Sequence, residues 1–325
     1  MKSLVLFNNK GGVGNTTLLF NLAHMLARRG HATVLLDYDP QCNLSSVATS
    51  EDELVGVWEG SAGGATVARC VDLVRRGKGD VVEPELAEVA DKLWLLPGEL
   101  TLARFEQTLA ESWGQVQQRD NERALHVTSA LARLAELAAE QVDAELALID
   151  VGPNLGALNR AALLGADALV VPVAPDLFSL QGLRNLGPTL REWRADWDRA
   201  VSRLAAPPAG RRFLPRGYIV QQHPARVDRP VKAYEQWASQ IPSVFHTEVL
   251  DERSGSVDYS LADDPYCLAT IKHFASLVPF AQQARKPIFD LKQADGIGGG
   301  QIQAVARARA ELVRLADRIA TLLES

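Results

Sequence analysis

The stretch that decides the fold is "NNKGGVGNTT", residues 8–17. It follows the apolar run "SLVLF" (3–7) and opens a segment with helical spacing of its leucines, "TTLLFNLAHMLARRG" (16–30). A glycine turn between a buried strand and a helix N-terminus presents backbone N–H groups to an anion, and glycine lets a phosphate approach closely. The position of the turn therefore predicts a phosphate-binding loop. Its glycines are Gly11, Gly12 and Gly14.

The loop departs twice from the general pattern G-x-x-x-x-G-K-[ST]. Asn9 replaces the first glycine and Asn15 replaces the lysine, while Thr16 falls in the first helical turn, where its hydroxyl can join a Mg²⁺ shell. Taken alone, the loop leaves two interpretations open: a nucleotide site, or a glycine-rich turn that binds no ligand.

Aspartates at the ends of two other apolar runs favour a ligand site. "LLDYDPQCNLS" (35–45) contains Asp37 and Asp39, and "LALIDVGPNLG" (146–156) contains Asp150. The carboxyl ends of parallel strands meet at the ligand-binding edge of an open α/β sheet. A carboxylate in this position suits Mg²⁺, held directly or through water.

Short apolar runs alternate with helix-length segments along the chain. Most of the runs are continuous rather than alternating, which is typical of strands buried on both faces. The pattern predicts an α/β fold with a doubly wound, mostly parallel sheet and helices on both faces. The predicted strands are 3–7, 33–37, 92–98, 146–150, 168–173 and 217–222, with 243–250 as a further candidate. The predicted helices are 16–30, 124–141, 180–197 with a break near Gly187-Pro188, 266–285 and 301–324.

We expect one domain over residues 1–325, because no linker separates two regimes of composition. An irregular excursion with a short helix is expected at about 50–90, and a loop at 205–212. The charge balance, 34 Lys plus Arg against 40 Asp plus Glu, argues against a protein that is basic all over. Cys42, Cys70 and Cys267 have neither metal-ligand nor disulfide spacing. With no apolar stretch of membrane-spanning length, these features predict a soluble cytoplasmic protein.

Four motifs in order resemble those of the ParA/MinD ATPases: "KGGVGNTT", "LLDYDPQCNLS", "LALIDVGPNLGALNRAAL" and "VVPVAPDLFSLQGL". That family uses a deviant Walker A pattern, K-G-G-x-x-K-[ST]. The resemblance is strong over residues 1 to about 190 and weaker through "GYIVQQHPARV", "IPSVFHTEVL" and "QARKPIFDL". It implies a P-loop NTPase fold, ATP or ADP as ligand, and Mg²⁺.

The resemblance also assigns roles to residues. Lys10 matches the signature lysine, which reaches the partner's phosphates in an ATP-dependent sandwich homodimer, and Asp39 matches the aspartate that positions the attacking water. Thr16, Asp39 and Asp150 match the magnesium site. Gly152 and Pro153 match switch II. The implied nucleotide-binding residues are Lys10, Gly11, Gly12, Val13, Gly14, Asn15, Thr16, Thr17, Pro172 and Gln221, with Pro175 and Gln222 near the adenine.

Asn15 is the main departure from the family pattern. An asparagine donates hydrogen bonds but lacks the charge that a lysine brings to the β- and γ-phosphates. Since phosphoryl transfer depends mainly on positioning and electrostatic stabilisation, we expect hydrolysis to fall by orders of magnitude. Nucleotide binding should weaken as well, because a charge-assisted contact is lost, but the backbone amides, the helix dipole and Mg²⁺ would still hold the nucleotide.

The resemblance leaves several functions open. The first is a ParA-like dimer switch in DNA partition or cargo positioning, with a ParB-like or other adaptor as partner and nonspecific DNA, hence nucleoid, association. Candidate DNA contacts are Lys232, Arg285, Lys286, Arg307, Arg309, Arg314 and Arg318, although a solvated helix face is the simpler interpretation of the last four. The second is a non-hydrolysing scaffold that docks a partner protein. A MinD-like membrane helix or a metabolic ligase is less favoured. The final helix lacks aromatics and strong charge, and we find no substrate motif.

Overall fold

The computed structural model describes residues 1–12, 14–60, 65–118, 122–202, 213–222, 231–252, 259–272, 274 and 276–324; for residues 222 and 231–234 it describes only the backbone. An eight-stranded sheet with strand order β3-β4-β2-β5-β1-β6-β7-β8 forms its centre. All neighbouring strands are parallel except β3 and β4, which are antiparallel. The strands are β1 (Lys2–Leu6), β2 (Thr33–Asp37), β3 (Ala87–Ala90), β4 (Leu93–Leu96), β5 (Leu146–Asp150), β6 (Ala168–Val173), β7 (Leu214–Gln222) and β8 (Cys267–Lys272).

Helices cover both faces of the sheet, because successive strand residues point to opposite sides. In β1, Val5 packs into a core with the helices between β4 and β7, whereas Leu4 packs into a second core with the first and last helices. The helices are α1 (Asn15–Arg28), α2 (Asn43–Ala48), α3 (Glu51–Glu59), α4 (Val67–Cys70), α5 (Asp72–Arg76), α6 (Ala103–Gln115), α7 (Glu122–Thr128), α8 (Ala130–Gln141), α9 (Ala157–Leu164), α10 (Leu177–Val201), α11 (Val231–Ala238), α12 (Ile241–Val244), α13 (Val278–Ala284) and α14 (Gly300–Glu324).

The predicted fold class is confirmed, and the predicted strands 3–7, 33–37, 92–98, 146–150, 168–173 and 217–222 each correspond to a strand of the sheet. The short strand β3 was not predicted. It lies within the irregular excursion at about 50–90, which otherwise contains α3, α4 and α5. The predicted helix 124–141 is two helices, α7 and α8, that meet at Ser129.

Two predictions in the last third of the chain are wrong. Residues 266–285 are not one helix: β8 pairs with β7 in parallel register, and only 278–284 are helical. The segment Cys267–Ile271 is apolar enough for either state, and tertiary pairing decides for the strand. Residues 243–250 do not form a strand but complete α12 and a π-helix, Phe245–Val249.

The predicted break near Gly187-Pro188 is also wrong, because α10 is continuous through both residues. A side chain at Gly187 would overlap the carbonyl of Glu248, so this glycine allows the π-helix to pack closely against α10. Arg191, one turn further on, donates to the same carbonyl. The Gly-Pro pair therefore marks a tight helix contact, and the proline removes only one N–H from the helix.

Candidate functional site

The glycine loop lies at the carboxyl edge of the sheet, between β1 and α1. Gly12 and Gly14 have φ values of 76° and 78°, in the left-handed region that favours glycine. Behind the loop, the Asn8 side chain donates to the Pro172 carbonyl at 2.6 Å and accepts from the Lys10 N–H at 2.9 Å. These contacts fix the loop to β6 and leave Gly11 and Gly12 exposed to solvent.

Thr16 and Asp150 are brought together by the fold. The Thr16 hydroxyl donates to Asp150 Oδ2 at 2.9 Å, while Asp150 Oδ1 is buried without a hydrogen-bond partner among the described residues. Burial, and then the charge of Asp37, raise the pKa of Asp150 well above its ordinary value. This carboxylate therefore lacks the positive charge that a buried anion requires.

Asp37 and Asp39 differ in how far their oxygens are already engaged. The Asp37 carboxylate accepts from the Ser45 N–H at 2.8 Å, the Ser45 hydroxyl at 2.6 Å and the Asp39 N–H at 3.2 Å. Burial raises the pKa of Asp37 to about 7, although the bonds from Ser45 oppose the shift. Asp39 is also buried and accepts from the Gln41 N–H at 3.0 Å. Asp37 thus holds the segment after β2, whereas Asp39 Oδ2 accepts no hydrogen bond from a described residue.

These residues fit a divalent cation. Asp37 and Asp150 are buried at the ends of the paired strands β2 and β5, directly opposite each other in the register, and the buried Asp39 lies two residues after β2. The described residues contain no cluster of three or more His, Cys, Asp or Glu side chains that could hold a metal by themselves. In proteins, Mg²⁺ takes one or two carboxylates and completes its shell with water and phosphate oxygens.

Lys10 and Asn15 lie at the two ends of the loop and differ in charge. Lys10 Nζ forms an ion pair with Asp176 Oδ2 at 2.5 Å, and the N–H of Ser179 donates to the other oxygen of Asp176, at the N-terminus of α10. Burial alone would raise the pKa of Asp176, but the bonds from Lys10 and Ser179 lower it overall. Asn15 Oδ1 is buried without a partner among the described residues.

The other described residues that were expected to bind the nucleotide lie in α1, β6 and β7. Gln221 lies beside Gly14, where a Cβ would be 3.5 Å from Gln221 Oε1. Pro172 is buried within β6, and Thr17 accepts at its carbonyl from Asn21. Val13 lies outside the described residues, as does the Gln222 side chain. Sequence reasoning did not identify Asn8 and Asp176, although Asp176, at the start of a helical pattern, is a recognisable cap signal.

Comparison with known proteins agrees with this geometry. A family model described as an AAA domain (AAA_31) matches residues 1–202. The chain belongs to the ParA/MinD family of P-loop ATPases. It is 30% identical to the chromosome-partitioning ATPase Soj of Treponema pallidum over 201 residues, which are 62% of this chain and 68% of Soj. The matches span 63% to 68% of the length of this and two other curated relatives.

Solved structures of the family share the fold. A protein of Corynebacterium diphtheriae, DIP2308, aligns with a TM-score of 0.68 at 23% identity, over 88% of this chain and 97% of that one. The septum site-determining protein MinD of Pyrococcus horikoshii, in complex with Mg-ADP, aligns with a TM-score of 0.57 at 16% identity, over 99% of this chain and 96% of that one. At these identities the likeness concerns the fold alone.

Proposed function

We propose that the chain binds a magnesium nucleotide, ATP or ADP, in the glycine loop and uses it as a ParA-like dimer switch in DNA partition or cargo positioning. The observation that carries this proposal is the hydrogen bond of Thr16 to the buried Asp150, whose other carboxylate oxygen has no partner among the described residues, near the exposed Gly11 and Gly12. Thr16, Asp39 and Asp150 would hold Mg²⁺, which neutralises charge on the phosphates. The Mg-ADP in the Pyrococcus MinD complex supports the choice of ligand.

Lys10 has a second role in this proposal. Its ammonium is only partly exposed and is bound to Asp176 within the same chain. In a sandwich homodimer it would exchange this carboxylate for a phosphate of the facing copy. Leu177 and Phe178 follow Asp176 directly and are 49% and 72% exposed, which supplies an apolar surface beside the loop for the second copy.

Hydrolysis is the step that we expect to be impaired. The loop contains one lysine, Lys10, and it is paired with Asp176, while position 15 carries a neutral amide. Position 15 therefore presents no positive charge to the phosphates. This favours the second candidate as a limiting case: a scaffold that closes on ATP, docks a ParB-like or other adaptor, and releases it slowly.

A basic groove on the opposite edge of the sheet supports the proposal of nonspecific DNA binding. Arg216, Arg314 and Arg318 line a groove of about 630 Å³ near the amino ends of β7 and β8, together with one carboxylate, Asp317, which is paired with Arg29. Because the nucleotide loop lies at the carboxyl edge, this groove stays open when two copies meet over their loops. Of the other candidates, Lys286 is paired with Asp295 at 2.7 Å, and the side chain of Lys232 lies outside the described residues.

The test is equilibrium binding of a fluorescent ATP analogue with Mg²⁺ and with EDTA, followed by DNA retention with and without ATP. We expect tight binding only with Mg²⁺, and retention that weakens steeply with salt. A magnesium-independent signal, or none, would contradict the nucleotide site. DNA retention that is insensitive to salt would contradict the proposed DNA surface but not the nucleotide site.

Among the described residues no helix has the length and apolar character of a membrane span.

A further inference from the structure

Helix α9 follows the loop after β5, and Gly156, the residue before its first turn, has no side chain that could cap it. Its first two N–H groups, of Ala157 and Leu158, donate instead to the two carboxylate oxygens of Glu106, each at 2.7 Å. Glu106 belongs to α6, which precedes β5 in the chain. A carboxylate that binds both N–H groups and faces the positive end of the helix dipole is a strong anchor.

Glu106 also fits closely against the loop itself. A Cβ at Gly156 would lie 2.5 Å from Glu106 Oε1 and 2.8 Å from Asn154 Oδ1, so a larger residue here would displace the carboxylate from this position. Helix α6 makes one further contact with the start of α9: Trp113 Nε1 donates a hydrogen bond to the Ala157 carbonyl at 3.2 Å. Helix α6 therefore holds the start of α9 from outside the nucleotide loop.

The anchored helix continues into the candidate site through Asn159. Its side-chain amide donates to the carbonyls of Gly152 and Asn154 at 2.5 Å and 2.7 Å. On the other side of this segment, a Cβ at Gly152 would be 3.2 Å from Asp39 Oδ1, and one at Gly11 would be 3.7 Å from the Pro153 ring. Residues 151–156 thus lie between α9 and the phosphate loop.

We propose that Glu106 is a positioning residue for the nucleotide site: by fixing the start of α9, it sets residues 151–156 against Gly11 and Asp39. This inference rests on the proposed nucleotide function and adds a residue that does not touch the ligand. Switch segments of P-loop proteins are ordered by the terminal phosphate and its metal. Glu106 therefore influences the binding of ATP more than the binding of ADP.

The test compares Glu106→Gln with Glu111→Gln on the same helix. The first replaces one of two acceptor oxygens with a donor, whereas Glu111 is exposed and accepts only from Gln107 Nε2, at 3.1 Å, within the described structure. Affinities for fluorescent ATP and ADP analogues are measured with Mg²⁺, together with amide exchange in residues 151–160. We expect Glu106→Gln to weaken ATP about fivefold and ADP less than twofold, and to speed exchange at the start of α9. Glu111→Gln should match the parent.

Equal losses for ATP and ADP, or no loss in a folded Glu106→Gln variant, would reduce Glu106 to a structural cap and overturn the proposal. If Glu106→Gln does not fold, the same comparison is made with Glu106→Asp, which keeps the charge on a side chain one carbon shorter. A parent protein that binds neither nucleotide would overturn the proposed function, and this inference with it, before any variant is tested.

Discussion

Two buried polar clusters lie towards opposite edges of the same sheet, and they differ in how completely their atoms are paired. At the carboxyl edge, Asp150 Oδ1 and Asn15 Oδ1 have no hydrogen-bond partner among the described residues. Towards the amino ends of β7 and β8, His246 bonds Glu252 at 2.6 Å and Asp264 at 3.1 Å, and the Tyr218 hydroxyl donates to Asp264 at 2.6 Å. The first cluster is incomplete, and the second is closed.

The two clusters also differ in the pKa shifts of their ionisable groups. Burial raises the pKa of Asp150 and Asp37, and the charges of the neighbouring aspartates add to both shifts. Burial alone would lower the pKa of His246, but its bonds to Glu252 and Asp264 raise it overall. Since a buried unpaired polar group costs about 1–3 kcal/mol, an incomplete cluster indicates a ligand and a closed one indicates a structural role. Each prediction below tests this division.

The largest effect is expected from Asn15→Lys, which places a cation in the incomplete cluster. We expect ATP hydrolysis to rise at least about 100-fold, because the ammonium stabilises charge that develops on the transferring phosphate. Phosphate release at saturating Mg-ATP measures it. Asn15→Gln is the control, since it changes length without adding charge. Equal rates in the parent and Asn15→Lys would show that position 15 does not limit the reaction.

Asp150→Asn should separate stability from binding. We expect magnesium-dependent nucleotide binding to weaken by at least about tenfold, because a carboxylate ligand is lost. The nucleotide-free protein should become about 1–2 kcal/mol more stable at pH 8, because a buried unpaired charge is removed. Nucleotide titration and thermal unfolding measure the two effects. A less stable nucleotide-free variant would mean that the Asp150 charge is already compensated.

His246→Gln, in the closed cluster, should have the opposite effects: lower stability and unchanged nucleotide binding. The substitution leaves the buried Asp264 with a poorer partner, so we expect a loss of about 2–3 kcal/mol in the free energy of unfolding. Affinity for Mg-ATP should stay unchanged. Glu252→Gln, at a half-exposed partner of the same ring, is the matched control and should cost far less. A clear loss of nucleotide affinity in a folded His246→Gln would join the two clusters functionally.

The smallest effect concerns pH. Folded Asp37 and Asp150 have raised pKa values, so their contribution to stability is present below the unfolded value near 4 and is lost as the pH rises, through about 7 for Asp37. A bound cation cancels this loss. Mg-ADP should therefore raise the unfolding temperature more at pH 8 than at pH 5.5. An equal increase at both values would argue against a cation beside these carboxylates.

The carboxyl edge was largely predictable from the sequence because its elements are local. The glycine turn after an apolar run is contained in a short stretch of sequence, and so is each aspartate at the end of another apolar run. Thr16 and Asp150 could thus be expected together, and they are 2.9 Å apart. The positioning contact of Glu106 could not, because it joins two helices far apart in the chain.

The secondary structure around the His246 cluster was mispredicted because it depends on contacts between segments that are distant in the chain. Residues 243–250 carry enough β-branched and aromatic side chains for a strand, but close packing against Gly187 in α10 favours a π-helix. Residues 267–272 suit a helix or a strand, and pairing with β7 decides. In both segments tertiary contact overrides local preference. The ion pair of Lys10 with Asp176 was missed because it joins the glycine loop to the residue before α10, which is distant in the chain.

The most direct test of the account is the chemical fate of bound nucleotide. The protein is loaded with Mg²⁺ and ATP labelled at the α-phosphate, which stays on both ATP and ADP, freed of excess ligand, and sampled over several hours for bound ATP and ADP. The account predicts that the bound nucleotide remains ATP in the parent protein and becomes ADP in Asn15→Lys. Rapid conversion to ADP by the parent, or failure of the parent to retain any nucleotide, would contradict it.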